Sequence, residues 1–147
     1  MTKTYTLTVT EKQAQTIQMA CELLARVQCG QVREVFYHLP LRKDVDYAIF
    51  HEIQDKLTER MPEILVGGID GWRSSLGVGN ENLPPSSDIA WDLNCVIRHR
   101  LSWDRAIEGG IVRSIDSPRK IPEMIGVSYD SPMQWGSEPL ATIALSE

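Results

Sequence analysis

Apolar and polar residues alternate at the start of the chain. Tyr5, Leu7 and Val9 interleave with Thr4, Thr6, Thr8 and Thr10, the period-two pattern of a half-buried β-strand. The period then changes. Thr10 and Gln13 have the spacing of a capping box, and Val9 and Ala14 that of a hydrophobic staple. From Glu11 onward, Ala14, Ile17, Cys21, Leu24, Ala25, Val32, Val35, Phe36 and Leu39 return to one face at about 100° per residue. This predicts one long helix of about 28 residues, bent near Cys29-Gly30, because glycine lowers the propensity there without shifting the phase. Two helices joined by a turn at Gly30 are the alternative. Pro40 ends the element, since it lacks an N–H and restricts Leu39.

Asp44 or Asp46 is placed to cap a second helix, with Ile49, Ile53 and Leu57 along one side, Phe50 and Met61 at its edge, and Pro62 closing it. Residues 63–87 form a glycine-rich loop region, with a short strand expected around Ile64–Val66. A loop of this length in a small domain is more often functional than merely connecting. Ser86 or Ser87 then caps a third helix, expected from Asp88 to about Arg105. Residues 106–147 read as short strands or extended arms, with Ile111-Val112, Met124–Tyr129 and Leu140–Leu145 following Gly109-Gly110 and set between prolines. The fold expected is α+β: a small antiparallel sheet packed on a long kinked N-terminal helix, with two further helices.

Length and composition narrow this picture. The 147 residues suit one domain over 1–147, and 42% hydrophobic with 24% charged residues is a globular mixture. No apolar run approaches the roughly 20 residues of a membrane helix, and the N-terminus has no signal-peptide pattern. Cys21, Cys29 and Cys95 lack metal-site spacing and fit free thiols in a reducing cytoplasm. A net charge of −5 argues against a nucleic-acid polymer as partner. It leaves room for a small anion held by a few local arginines.

Several side chains are candidates for that task. Arg100 projects into the middle of the face carrying Ile89, Leu93, Val96, Ile97 and Trp103, where a guanidinium needs an anionic partner. That partner is either an internal carboxylate, Asp104 or Glu22, or a bound phosphate. Arg98 lies nearly opposite, as a solvated charge or a second contact. Arg26 and Arg33, seven apart on the first helix, could address one elongated ligand or one interface, although a plain solvated stripe explains them better. Gly77-Val78-Gly79-Asn80 lacks the spacing of a nucleotide-triphosphate loop, yet its glycines permit close backbone approach, with Asn80 and Asn82 available to a base or ribose. Trp72, in the glycine-rich stretch, is the best stacking candidate among the four tryptophans.

Catalysis finds little support. His38, His51 and His99 are isolated in sequence, and neither a metal pair nor a nucleophile motif is present. The acidic residues around His51 (Asp44, Asp46, Glu52 and Asp55) read as a charged helix face as readily as a metal site. No cofactor is expected. A long apolar face and four tryptophans suggest instead a homodimer or larger even-numbered assembly.

Two stretches, LTVTEKQA with CELLARVQCGQVREV, and GVGNENLPPSSDIAWDLNCVIRHRLSWDR, together resemble the phage anti-defence sponges that disable the Thoeris system. The resemblance spans roughly residues 5–105. It implies a non-enzymatic protein that sequesters cyclic ADP-ribose-type signals, and in some members cyclic di- or trinucleotides, in the infected bacterium's cytoplasm. It also implies an antiparallel sheet with a long kinked helix and subunits assembled at least as dimers. The family's pocket draws an arginine from the long helix, here Arg26, and one from the later helix, here Arg98 or Arg100. Its asparagine corresponds to Asn80. Where the family has an aromatic before Gly77, this chain has Ser75-Leu76. The alternative function is a protein–protein decoy or regulator, docking through the long helix without a nucleotide.

Overall fold

The computed structural model describes residues 3–71, 73–110 and 131–144. Three α-helices carry the fold: α1 (Glu11–Gln28), α2 (Tyr47–Thr58) and α3 (Pro85–Glu108). Short 3₁₀ segments lie at Val32–His38, Met61–Glu63 and Val66–Gly68. No strand occurs among the described residues, which corrects the expected α+β fold with its antiparallel sheet. Residues 3–10 lead into α1 without a ladder partner, and Tyr5 and Leu7 stand in solvent. Alternation gives a chain two faces, but a strand requires a neighbour to accept its backbone hydrogen bonds.

The start of α1 is set by the capping box. The Thr10 N–H donates to Gln13 Oε1 at 2.8 Å, and the Gln13 N–H donates to Thr10 Oγ1 at 3.3 Å. The continuous 28-residue helix is corrected to the two-element alternative. α1 stops at Gln28, and Gly30 turns the chain at φ +90°, a conformation that glycine alone adopts cheaply. Its N–H still reaches the Val27 carbonyl at 2.9 Å. Beyond the turn the chain winds as the 3₁₀ segment Val32–His38.

α1 and α3 pack antiparallel, as three side-chain links show. Glu11 meets Arg105 at 2.9 Å, Gln18 donates to Asn94 at 2.6 Å, and Gln28 exchanges hydrogen bonds with Ser86. Ala14 packs with Ile97 and Leu101, and Val9, Ile17 and Ile143 cover that cluster. Both ends of the described chain thus close over the α1–α3 seam. Trp103 is fully buried on α3.

α3 begins at Pro85, three residues before the expected start, and Pro84 rather than a serine occupies the cap. Proline is favoured at a first helical position, where no N–H is needed. Ser86 serves Gln28 instead, and Ser87 is buried with its hydroxyl 3.5 Å from Cys29 Sγ. The strand expected at Ile64–Val66 is replaced by a 3₁₀ turn that runs into Val66–Gly68. Of the C-terminal arms, residues 140–144 carry no strand, whereas Ile111-Val112 and Met124–Tyr129 lie outside the described residues. No described helix is long and apolar enough to cross a membrane.

α2 is the least covered helix. Asp46 caps it, accepting from the Ala48 N–H at 2.8 Å, while Asp44 pairs with Arg42. Its buried positions are Phe50, Gln54 and Thr58. The apolar stripe read from sequence, Ile49, Ile53 and Leu57, lies on an open side, each residue about half exposed.

Candidate functional site

The polar side chains that α1 and α3 bring together form a chain along their seam. Arg26 is one turn beyond Glu22 on α1, a spacing that lets an ion pair close along the helix. Its Nε and Nη2 both approach Glu22 Oε1 at 2.9 Å, and Nη1 donates to Gln31 Oε1 at 3.2 Å. One third of the Arg26 side chain remains exposed. Gln18 donates to the other Glu22 oxygen at 3.2 Å and to Asn94 Oδ1 at 2.6 Å. Asn94 in turn donates to Cys95 Sγ at 3.8 Å.

Arg98 stands exposed near this chain, close enough that its charge bears on the Cys95 thiol. Burial pushes that thiol up; the charges of Asp92 and Glu22 push the same way, while Arg98 and the Asn94 hydrogen bond oppose them. Arg26 and Arg98 therefore border one polar seam together with two carboxylates, Glu22 and Asp92.

The other candidates are placed differently. Arg100 pairs with Asp104, Nε to Oδ2 at 2.9 Å and Nη2 to Oδ1 at 2.7 Å. Of the anionic partners considered for it, Asp104 is the one in contact, and Glu22 belongs to Arg26. Arg33 is only 3% exposed. Its Nη2 reaches Gln54 Oε1 and Asp55 Oδ1, each at 3.1 Å, and its backbone N–H donates to the Gly71 carbonyl. It ties the 3₁₀ segment to α2 rather than sharing a surface with Arg26. Asn80 turns inward on its own loop: Oδ1 accepts from the backbone and side chain of Asn82 at 3.0 and 3.2 Å. The loop is fixed to α3 by the Gly79 N–H, which donates to Asp88 at 2.8 Å. Trp72 lies outside the described residues.

An open cleft of about 650 Å³ borders α2, lined by His51, Glu52, Asp55, Lys56, Glu59, Asp70 and Arg73 among others. Sequence reading singled out His51 and its acidic neighbours but had no signal that Asp70 and Arg73 would join them. Four carboxylates there outweigh Lys56 and Arg73, so the cleft suits an anion poorly. Glu52 is paired with Lys56, Asp55 with Arg33, and His51 Nδ1 lies 3.1 Å from Gln54. Among the described residues no three of His, Cys, Asp and Glu converge as a metal would require.

Comparison of the chain with protein-family models, with curated proteins and with solved structures finds no match.

Proposed function

We propose that the chain is a non-catalytic binding protein that sequesters a small phosphorylated signal of the cyclic-nucleotide class. This is the role that its resemblance to phage anti-Thoeris sponges implies, acting in the cytoplasm of an infected bacterium. One observation carries the reading beyond the resemblance. Arg26 is held in a fixed orientation by Glu22 and Gln31 with part of its side chain open, beside a seam that Arg98 also borders. A planar guanidinium presented in this way suits a phosphate. The incoming anion would exchange with Glu22, a substitution of one charged acceptor for another. Arg26 and Arg98 are then the ligand's charge partners, and Arg100 is a helix-stabilising residue.

A second reading, docking of a protein partner, is favoured by the open Ile49, Ile53 and Leu57 stripe. One experiment separates the two. The purified protein is incubated with a mixture of cyclic ADP-ribose isomers and cyclic di- and trinucleotides, washed, heated, and the supernatant analysed by mass spectrometry. Release of an intact cyclic nucleotide supports sequestration, and an altered product would contradict the non-catalytic role. Retention of none of them would sink the sponge reading in favour of the partner-docking one.

A further inference from the structure

Arg26 already holds an anion, and that anion is a neighbour on its own helix. Nε and Nη2 both close on Glu22 Oε1 at 2.9 Å, and Nη1 donates to Gln31 Oε1 at 3.2 Å. Glu22 is gripped from its other side as well. Gln18 Nε2 donates to Glu22 Oε2 at 3.2 Å and to Oδ1 of Asn94, buried on α3, at 2.6 Å. Both oxygens of one carboxylate are therefore engaged. The Nε–Nη2 edge that Glu22 takes is an edge with which a guanidinium forks a phosphate.

Two features make this contact a latch rather than a structural tie. Arg26 and Glu22 keep 33% and 31% of their side chains exposed, so the pair can part without stranding a charge in the interior. An ion pair one helical turn apart and within reach of water is also weak, which lets a ligand open it. Arg33 shows the contrast: it is 3% exposed and its contacts join the 3₁₀ segment to α2. The Arg26–Glu22 pair joins no two helices. The bond from Gln18 to Asn94 links α1 to α3 by itself, so α1 stays docked when Glu22 swings out.

We infer that Glu22 is an autoinhibitory latch on Arg26, a resident carboxylate that lowers the affinity of the site for every incoming anion. A monoanion with one point of contact gains nothing over the resident, which is tethered to the same helix and loses no freedom in binding. A ligand held elsewhere along the seam as well displaces it. The inference rests on Arg26 being the anion contact of the proposed function, and it names how that contact is regulated.

Isothermal titration of inorganic pyrophosphate into the full chain reads the latch without a nucleotide. Glu22→Gln keeps the shape and removes the charge, and should bind pyrophosphate roughly three- to tenfold more tightly than the wild type. Glu22→Gln combined with Arg26→Ala should lose that gain, because the gain acts through Arg26. Glu59→Gln, the same charge change at the end of α2, should match the wild type. The carbon-13 signal of the Glu22 carboxylate should move as pyrophosphate displaces it from Arg26. Absent or equal binding in Glu22→Gln and the wild type, a gain that survives Arg26→Ala, an equal gain in Glu59→Gln, or a Glu22 signal unmoved at saturation overturns the inference. The latch and the sequestration reading fail separately. A gain through Arg26 with no cyclic nucleotide retained leaves the latch standing and ends sequestration. A retained nucleotide with no gain in Glu22→Gln ends the latch alone.

Discussion

The carboxylate of Asp92, buried on α3, accepts the backbone N–H of Gly136 at 2.8 Å and also that of Trp135, bridging 44 residues of sequence. This contact anchors the segment 131–144 on the helix. Gly136 sits so close that a Cβ there would meet Ile89 at 3.1 Å and Asp92 at 3.2 Å. Trp135 packs in turn on Gly79, where an added Cβ would lie 3.1 Å from its ring. One buried carboxylate thus connects α3, the Gly77–Asn80 loop and the C-terminal arm.

Asp92→Ala strands the two backbone donors and should lower stability by about 1.5–3 kcal/mol, the range for hydrogen bonds to a charged group. Tryptophan fluorescence should shift to the red as Trp135 loses its seat. A melting curve and emission spectrum matching the wild type would show that the arm is held by other contacts.

Gly30→Ala forces a side chain into a positive-φ turn and against Ile69. Strain and overpacking together should cost about 1–3 kcal/mol in denaturant unfolding. A substitution without effect would mean that α1 continues past Gln28 in solution, as the long-helix reading of the sequence expects.

That reading failed for a physical reason. Projection at a constant 100° placed Arg33 on the same side as Arg26, yet the turn at Gly30 and the tighter 3₁₀ winding after it change the phase. Arg33 rotated into the interior, against Gln54 and Asp55. Local signals were legible where local chemistry decides: the Thr10–Gln13 box and the Asp46 cap stand as spaced. Amphipathicity revealed that Ile49, Ile53 and Leu57 share a side but not which side of α2 the rest of the chain covers. The pairing of Arg100 was legible as a choice between Asp104, Glu22 and a ligand, since an i, i+4 ion pair closes along one helix. The lack of a strand among the described residues was not legible, because whether an alternating segment finds a strand partner is decided by residues remote in sequence.

Arg33→Met tests the interior placement. The variant takes one of two partners from Gln54 Oε1 and the cation from Asp55, and should lose about 1–3 kcal/mol of stability. Asp55 stays largely in water, which keeps the loss below that of a fully buried pair. Unaltered stability would return Arg33 to the surface.

Burial raises the Cys21 and Cys95 thiols, so their alkylation by iodoacetamide near pH 8 should lag behind that of a free thiol. A thiol whose folded pKa exceeds its unfolded one, about 8.5, stabilises the fold fully below the unfolded value. That contribution is lost as pH rises through the folded value, and stability should therefore decline on the alkaline side. Arg98→Ala removes a charge that lowers the Cys95 pKa and should slow its alkylation further. Equal rates in the two proteins would separate Arg98 from the seam and weaken its assignment there.

The most direct test of the proposed function is isothermal titration of the cyclic nucleotide released on heating into three proteins: the wild type, Arg26→Ala and Arg100→Ala. Truncating a charged pair with a ligand phosphate costs about 2–5 kcal/mol of binding, roughly 30-fold or more, so Arg26→Ala should bind at least that much more weakly. Arg100→Ala should stay close to the wild type in affinity, because its guanidinium is committed to Asp104. Full affinity in Arg26→Ala, or a loss confined to Arg100→Ala, would contradict the account.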